Sequence, residues 1–121
     1  MLGFARCNVM GNVVHQPNFK ETDTLTKVAD FIIAVNRQFK KGEEIQEEVY
    51  FFKVVAFGRI AEKIRDRIHK SDSILIEGAI RQERWKSEEG EERSRVAIFA
   101  DRIEVVQKYT GASREALNPK V

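Results

Sequence analysis

The chain has 121 residues, 42% of them hydrophobic and 33% charged, and its formal net charge is +2. This length fits one domain with a single core, and the composition excludes a disordered chain. No apolar run approaches the ~20 residues that a membrane-spanning helix needs, and the start of the chain lacks a signal-peptide pattern. We therefore expect an intracellular protein. The lone Cys7 is expected to be a small core residue, and no Cys or His cluster has metal-ligand spacing, so neither a metal nor another cofactor is predicted.

The N-terminal third predicts two strands joined by a connection. The run from Phe4 to Val14 is β-rich, and Gly11 inside it is typical of a bend or bulge. The polar segment His15–Lys27 contains Pro17 and predicts a connection with at most a short extended piece. The next segment, VADFIIAVNRQF, alternates apolar residues with polar or small ones, so it predicts a strand with one buried side. The acidic residues around Gly42 predict a solvated loop after it.

The third predicted strand, EVYFFKVVAFG, is unusual because both of its sides are largely apolar. Phe51, Lys53, Val55 and Phe57 lie on one side, and Tyr50, Phe52, Val54 and Ala56 lie on the other. A strand with one solvated face normally shows apolar residues on one side only. We expect the second set to face a barrel interior or a subunit contact, and the first set, with its lysine, to meet a ligand.

The pattern then changes from a strand to a helix and back. Isoleucines at positions 60, 64 and 68 predict an amphipathic helix in GRIAEKIRDRIHKSDS, which needs a sheet or barrel end to pack against. SILIEGAIRQERW predicts a strand that bends at Gly78. KSEEGEE predicts a hairpin loop, and RSRVAIFADRIEVV predicts the return strand. The sustained pattern ends near Gln107, so we expect a domain over residues 1–108 and a short flexible tail over 109–121.

Three strands, one helix and two strands in about a hundred residues favour an all-β OB-fold. This fold is a five-stranded Greek-key barrel that binds oligonucleotides or oligosaccharides. Here it would have long β-hairpins and its helix between strands 3 and 4. A two-layer α+β sandwich fits the same periodicity.

No residue pattern predicts catalysis. The two histidines, His15 and His69, lie near no Ser or Cys in a nucleophile context. The carboxylates occur in charged runs rather than as an isolated pair among apolar neighbours. The glycines are scattered singly, so no phosphate-binding loop is present. We therefore expect a protein that is not an enzyme.

Aromatic residues with cationic neighbours are the pattern that indicates function. Four rings have such neighbours: Phe39, Phe51, Phe57 and Trp85. Bases of single-stranded nucleic acid stack on rings of this kind, while Lys and Arg neutralise the phosphates. Stacking contributes about 1–3 kcal/mol per base, whereas an exposed ion pair contributes about 0–1 kcal/mol. The rings would therefore supply most of the binding free energy, unless they belong to the hydrophobic core.

Five segments, in order, resemble the bacterial and mitochondrial single-stranded DNA-binding protein family. They are MGNV with Pro17 soon after, VADFIIAVNRQF, FKVVAFGRIAEKI, ILIEGAIRQERW and AIFADRIEVV, and they span roughly residues 4–106. The resemblance implies an OB-fold that assembles as a homotetramer and wraps single-stranded DNA in replication, recombination and repair. It assigns base stacking to the four rings, although Phe39 and Phe51 stand where the family usually has tryptophan. It also implies phosphate contacts by Arg37, Lys40, Lys53, Arg59, Arg81, Arg84 and Arg93.

Three features depart from the family pattern. TDTLTK replaces the usual turn with proline and glycine, and Ser94 replaces a common aromatic. The sequence closes on LNPKV without the acidic tip through which replicative members recruit replication and repair proteins. This departure favours a specialised paralogue, a mobile-element copy or a tail-less organellar-type protein. We accordingly expect a cytoplasmic, nucleoid-associated protein, with an organellar matrix as the alternative location.

Two other functions fit parts of the pattern. An OB-fold adaptor of the primosome would use the same apolar strand face for a protein partner. A nuclease on the same barrel would need a carboxylate constellation that the sequence lacks.

Overall fold

The computed structural model describes residues 1–110, which form six strands and one helix. The strands are β1 (Arg6–Val13), β2 (Asn18–Glu21), β3 (Lys27–Lys41), β4 (Glu44–Phe57), β5 (Ser73–Lys86) and β6 (Glu92–Gln107). The helix, α1 (Arg59–Arg65), lies between β4 and β5. Five strands correspond to predicted ones, and β2 is a short extended piece within the segment predicted as a connection. The helix follows the third predicted strand as expected, and the additional β2 makes that strand β4.

Hydrogen bonding closes five of the strands into a barrel. The sheet order is β1-β5-β6-β4-β3-β2, and β1 pairs with β3 as well as with β5. The closing contact joins Asn12 to Ala34 and Val13 to Ile33. All neighbours are antiparallel except β4 and β6. This is the predicted Greek-key barrel with β2 added beside β3, so the two-layer α+β sandwich is excluded.

Alternating residues of the strands fill the barrel interior. The largest of them, all at most 2% exposed, are Phe31, Ile33, Val13, Val54, Ile74 and Ile76. Cys7, predicted as a core residue, is partly buried against this cluster. Burial raises the pKa of its thiol, which the charge of Arg6 opposes.

The inward side of β4 enters the core only in its C-terminal half. Val54 and Ala56 are fully buried, whereas Tyr50 and Phe52 on the same side are about 40% exposed. The difference arises because β4 pairs with β6 only over residues 53–55, and its earlier residues pair with β3 alone. Of the two places expected for this side, the barrel interior applies to Val54 and Ala56, and the subunit contact of Tyr50 and Phe52 stays a prediction.

Helix α1 covers one end of the barrel, as its apolar spacing predicts. Ala61 and Ile64 are buried against the strands, and Ile68 is fully buried in the turn that follows the helix. The helix has seven residues and ends well before the predicted boundary. The amide of Ile68 still donates to the carbonyl of Ile64. The amides that follow donate elsewhere, that of His69 to the Asp72 carboxylate and that of Ser71 to the carbonyl of Val13.

Two hairpin arms extend beyond the barrel, one from β3 and β4 and the other from β5 and β6. The acidic run predicted as a loop around Gly42 is mostly strand, because the turn contains only Gly42 and Glu43. Basic residues of β3 lie opposite acidic residues of β4, with Lys41 facing Glu44 and Arg37 facing Glu48. Opposite charges on paired strands favour the extended arm over a loop.

Gly78 allows β5 to bend where a barrel corner was predicted. The register between β5 and β6 shifts between Glu77 and Gly78. A Cβ atom at position 78 would lie 2.4 Å from the backbone oxygen of Phe99. Only glycine permits this approach of the two strands.

A buried carboxylate fastens the end of β6 to the turn after α1. Asp72 is 2% exposed and accepts hydrogen bonds from the backbone amides of His69 and Tyr109, both at 2.9 Å. The Lys108 ammonium also donates to it. These contacts include Tyr109, the first residue of the predicted tail, and residues 111–121 of that tail lie outside the described residues.

Replacement of Asp72 by alanine is expected to destabilise the protein by about 1–3 kcal/mol at neutral pH, because three donors lose their acceptor. Burial alone would raise the pKa of Asp72, but Lys108 and the two backbone amides outweigh it and hold the pKa below its usual value. The contribution is therefore complete above about pH 4 and is lost as the pH falls through the depressed pKa. Urea unfolding of parent and variant at pH 7 and pH 3 checks this. An equal difference at both values would contradict it.

Candidate nucleic-acid interface

Three of the four predicted stacking rings lie on one outward surface of the barrel. We call the outward side of β4, β6 and β5 that carries Phe51, Phe57 and Trp85 the aromatic face. The register supports this grouping, since Ala97 of β6 pairs with both Lys53 of β4 and Arg81 of β5. The three rings are 64%, 46% and 44% exposed in that order, so none of them belongs to the core.

Phe57 is supported by a second ring that the sequence analysis did not single out. The centroids of Phe57 and Phe99 are 5.7 Å apart, and their planes differ by 28°. The guanidinium carbon of Arg81 lies 5.1 Å from the Phe99 centroid on the same surface. Beneath Phe99 is a small separate cluster of three buried apolar residues, Val28, Val55 and Ala97. Strand alternation from Ala97 would have placed Phe99 on this face.

Trp85 has an arginine against its ring, and this arginine is Arg95 rather than a predicted residue. The guanidinium carbon of Arg95 lies 5.0 Å from the Trp85 centroid, which is within cation–π range. The predicted Arg93 pairs directly with Trp85 across the hairpin and forms an ion pair with Glu91 at 3.0 Å. Because Arg95 is two residues from Arg93 on the same strand, alternation would have identified it as well.

Phe39 lies apart from the other three rings. It pairs with Gln46 near the tip of the β3–β4 arm, whereas Phe51 pairs with Ala34. The difference in parity places Phe39 and Phe51 on opposite sides of that hairpin. The guanidinium carbon of Arg37, a predicted phosphate ligand, lies 5.1 Å from the centroid of the Phe39 ring. Its Nη1 atom lies 3.5 Å from Glu48 Oε2.

The remaining predicted cations differ in their surroundings. Lys53 is only 20% exposed and forms an ion pair with Glu83 at 2.9 Å. Arg84 pairs with Ser94, on the side of the β5–β6 hairpin away from Trp85, and donates to Gln82. Arg59 and Lys40 are exposed.

Residues 1–110 contain neither a membrane-spanning helix nor a cluster of metal-ligating side chains. No helix there is long and apolar enough to cross a membrane. No group of His, Cys, Asp and Glu side chains within the same range is arranged to hold a metal ion.

Comparison with known proteins places the chain in a family. The family model described as "Single-strand binding protein family" matches residues 4–106. Single-stranded DNA-binding protein 2 of Chlorobaculum tepidum is 36% identical over 102 residues, which cover 83% of this chain and 69% of the relative. The single-stranded DNA-binding protein of Aquifex aeolicus is 34% identical over 109 residues, covering 89% of this chain and 74% of the relative.

Solved structures show the same fold. The small single-stranded DNA-binding protein of Streptomyces coelicolor superposes with a TM-score of 0.71 at 21% identity, covering 86% of this chain and 95% of that chain. A deletion mutant of the single-stranded DNA binding protein of Thermus aquaticus gives a TM-score of 0.75 at 23% identity, covering 84% of this chain and 50% of that chain. The predicted OB-fold is confirmed, and with the match over residues 4–106 the chain belongs to the single-strand binding protein family.

Proposed function

We propose that this protein binds single-stranded DNA without sequence preference and without catalysis, using the aromatic face. The observation that carries the proposal is the exposure of Phe51, Phe57 and Trp85 on one side of the barrel. Large rings are normally buried, so three on a single surface indicate a binding site. The names of the relatives, single-stranded DNA-binding proteins, support the same ligand.

Base stacking supplies most of the affinity in this proposal. Each exposed ring receives the π-face of one base, which is worth about 1–3 kcal/mol and does not depend on base identity. Phe57 is held by Phe99 beneath it, so little side-chain freedom is lost when a base arrives. Phe39 contributes a further contact where the strand passes around the β3–β4 arm.

Phosphate neutralisation by arginine and lysine fixes the path of the strand. Arg81 and Arg95 lie directly beside the rings of the aromatic face, and Arg93 lies opposite Trp85. Arg59 extends the positive charge beyond Phe57. Phosphates that pass along the two hairpin arms are contacted by Arg37, Lys40 and Arg84. Lys53 also belongs to this set once its pairing with Glu83 is exchanged for a phosphate.

We further propose that the protein acts as a homotetramer in replication, recombination and repair. The support for self-association is the exposed apolar surface outside the aromatic face, which includes Tyr50 and Phe52 on the other side of β4. Association of identical copies buries such surface. A cytoplasmic, nucleoid-associated location follows from this role, with an organellar matrix as the alternative.

Titration of Trp85 fluorescence with dT oligomers tests the proposal directly, because Trp85 is the only tryptophan. Quenching at low salt is expected, and log K should fall with log salt by about 0.7 for each phosphate that the protein neutralises. Light scattering on the same samples measures the number of subunits. Unquenched fluorescence together with no shift of labelled dT would overturn the proposal and favour the protein-adaptor function.

A further inference from the structure

The aromatic face contains one carboxylate at its centre, Glu83, between two cations. It pairs across the hairpin with Arg95, and its Oε1 atom accepts hydrogen bonds from Arg95 Nε at 3.2 Å and from Lys53 Nζ at 2.9 Å. Lys53 reaches Glu83 from β4 across β6, where the side chain between them is the methyl group of Ala97. A single oxygen therefore links three strands.

This ion-pair cluster is partly withdrawn from water. The Glu83 side chain is 27% exposed and the Lys53 side chain is 20% exposed. Burial raises the pKa of Glu83, but hydrogen bonding and charge from Lys53 and Arg95 outweigh it and hold the pKa below its usual value. The carboxylate is consequently ionised at neutral pH and forms ion pairs with both cations, as a phosphate group would.

The same cluster reaches the ring that is expected to stack. Arg95 donates to Glu83 through Nε while its guanidinium lies over Trp85. Glu83 therefore fixes the position of a group that covers one side of that ring. A base stacking on that side has to displace Arg95 or stack on its guanidinium.

We propose that Glu83 is an internal competitor for the phosphates of single-stranded DNA, and this rests on the function proposed above. In the free protein Glu83 holds Lys53 and Arg95. When DNA binds, a phosphate replaces the carboxylate on these cations. Glu83 thereby weakens binding and reduces its salt dependence, and Arg95 remains on Trp85 until the exchange takes place.

The variant Glu83→Gln tests this because it keeps the shape and removes the charge. We expect it to bind a dT oligomer about three- to thirty-fold more tightly than the parent at ~0.05 M salt. The log K against log salt plot should steepen by about 0.7 for each additional phosphate that the variant neutralises. Glu83→Met, of similar volume, provides the same test if the glutamine variant folds poorly.

Two further variants separate a local effect from a general charge effect. Glu104→Gln makes the same change in net charge on a strand segment paired with Leu75, away from the rings, and should leave affinity within about twofold of the parent. In a background with both Lys53→Met and Arg95→Met, Glu83→Gln should produce no increase in affinity, because no cation remains to be released.

The outcomes distinguish this inference from the proposed function. If the parent binds dT and Glu83→Gln binds equally or less tightly with an unchanged salt slope, Glu83 is only a structural bridge and the inference is wrong. If the parent does not bind dT at all, the proposed function fails first. An increase in affinity of similar size in Glu104→Gln would also overturn the inference.

Discussion

The double variant Phe57→Ala with Trp85→Ala is expected to bind a dT oligomer about 2–6 kcal/mol more weakly than the parent, since two stacking contacts are lost. This corresponds to an increase in Kd of about 30-fold to more than 10,000-fold. Both rings are slightly more than half buried, so their removal should also lower the free energy of unfolding by about 1–3 kcal/mol in total, which circular dichroism and unfolding curves of the variant measure. A polarisation titration with labelled dT measures the loss of affinity, because the variant lacks tryptophan.

A matched control comes from a ring outside the aromatic face. Tyr109 follows β6 at the turn held by Asp72 and is 47% exposed, so Tyr109→Ala removes a ring of similar exposure far along the chain from the aromatic face. It should bind dT like the parent. If the double variant also binds like the parent, stacking on Phe57 and Trp85 does not operate and the affinity comes from other groups.

Replacement of Phe31 by alanine is expected to destabilise the fold by about 3–5 kcal/mol, because the ring fills the barrel interior. Phe31 is 1% exposed and belongs to the main core cluster. Such a loss is a large part of the stability of a typical domain. Denaturant unfolding at a fixed protein concentration, followed by Trp85 fluorescence, measures it.

The neighbouring residue provides the comparison for this prediction. Ile32 is 36% exposed, points to the opposite side of β3 and lies across from Lys53. Ile32→Ala should cost only about 1–2 kcal/mol. Equal losses for the two variants would mean that the two sides of β3 do not differ as the structure indicates.

The strands and the helix were predictable because their periodicities differ. Alternation along VADFIIAVNRQF and the four-residue spacing of the isoleucines report directly which sides are buried. The strand β2 could not be found this way, since Asn18–Glu21 is short, polar and formed by pairing with β3 at an edge. Closure of the barrel depends on contacts between residues distant in sequence, which the order of elements only suggests. Because the family consists of non-catalytic DNA-binding proteins, the expectation that the chain is not an enzyme is confirmed.

The site was only partly predictable, because the sequence identifies charged neighbours along one strand and not across strands. Phe51, Phe57 and Trp85 are exposed, as the predicted base stacking requires, and the stacking itself stays a prediction. The partner of Trp85 is Arg95 on the opposite strand, and the support of Phe57 is Phe99 on β6. In the sequence, Glu83 is one of several charged residues in RQERWK, and only the fold shows that Lys53 lies beside it.

The two-sided character of β4 limits how this protein can change. Between Phe51 and Phe57, Val54 and Ala56 are buried in the barrel interior, Val55 is buried in the small cluster beneath Phe99, and Lys53 lies on the aromatic face. A substitution at any of these four positions therefore affects either the packing of the fold or the proposed binding surface. We expect random mutagenesis to find fewer tolerated changes here than in the outer half of the β5–β6 arm.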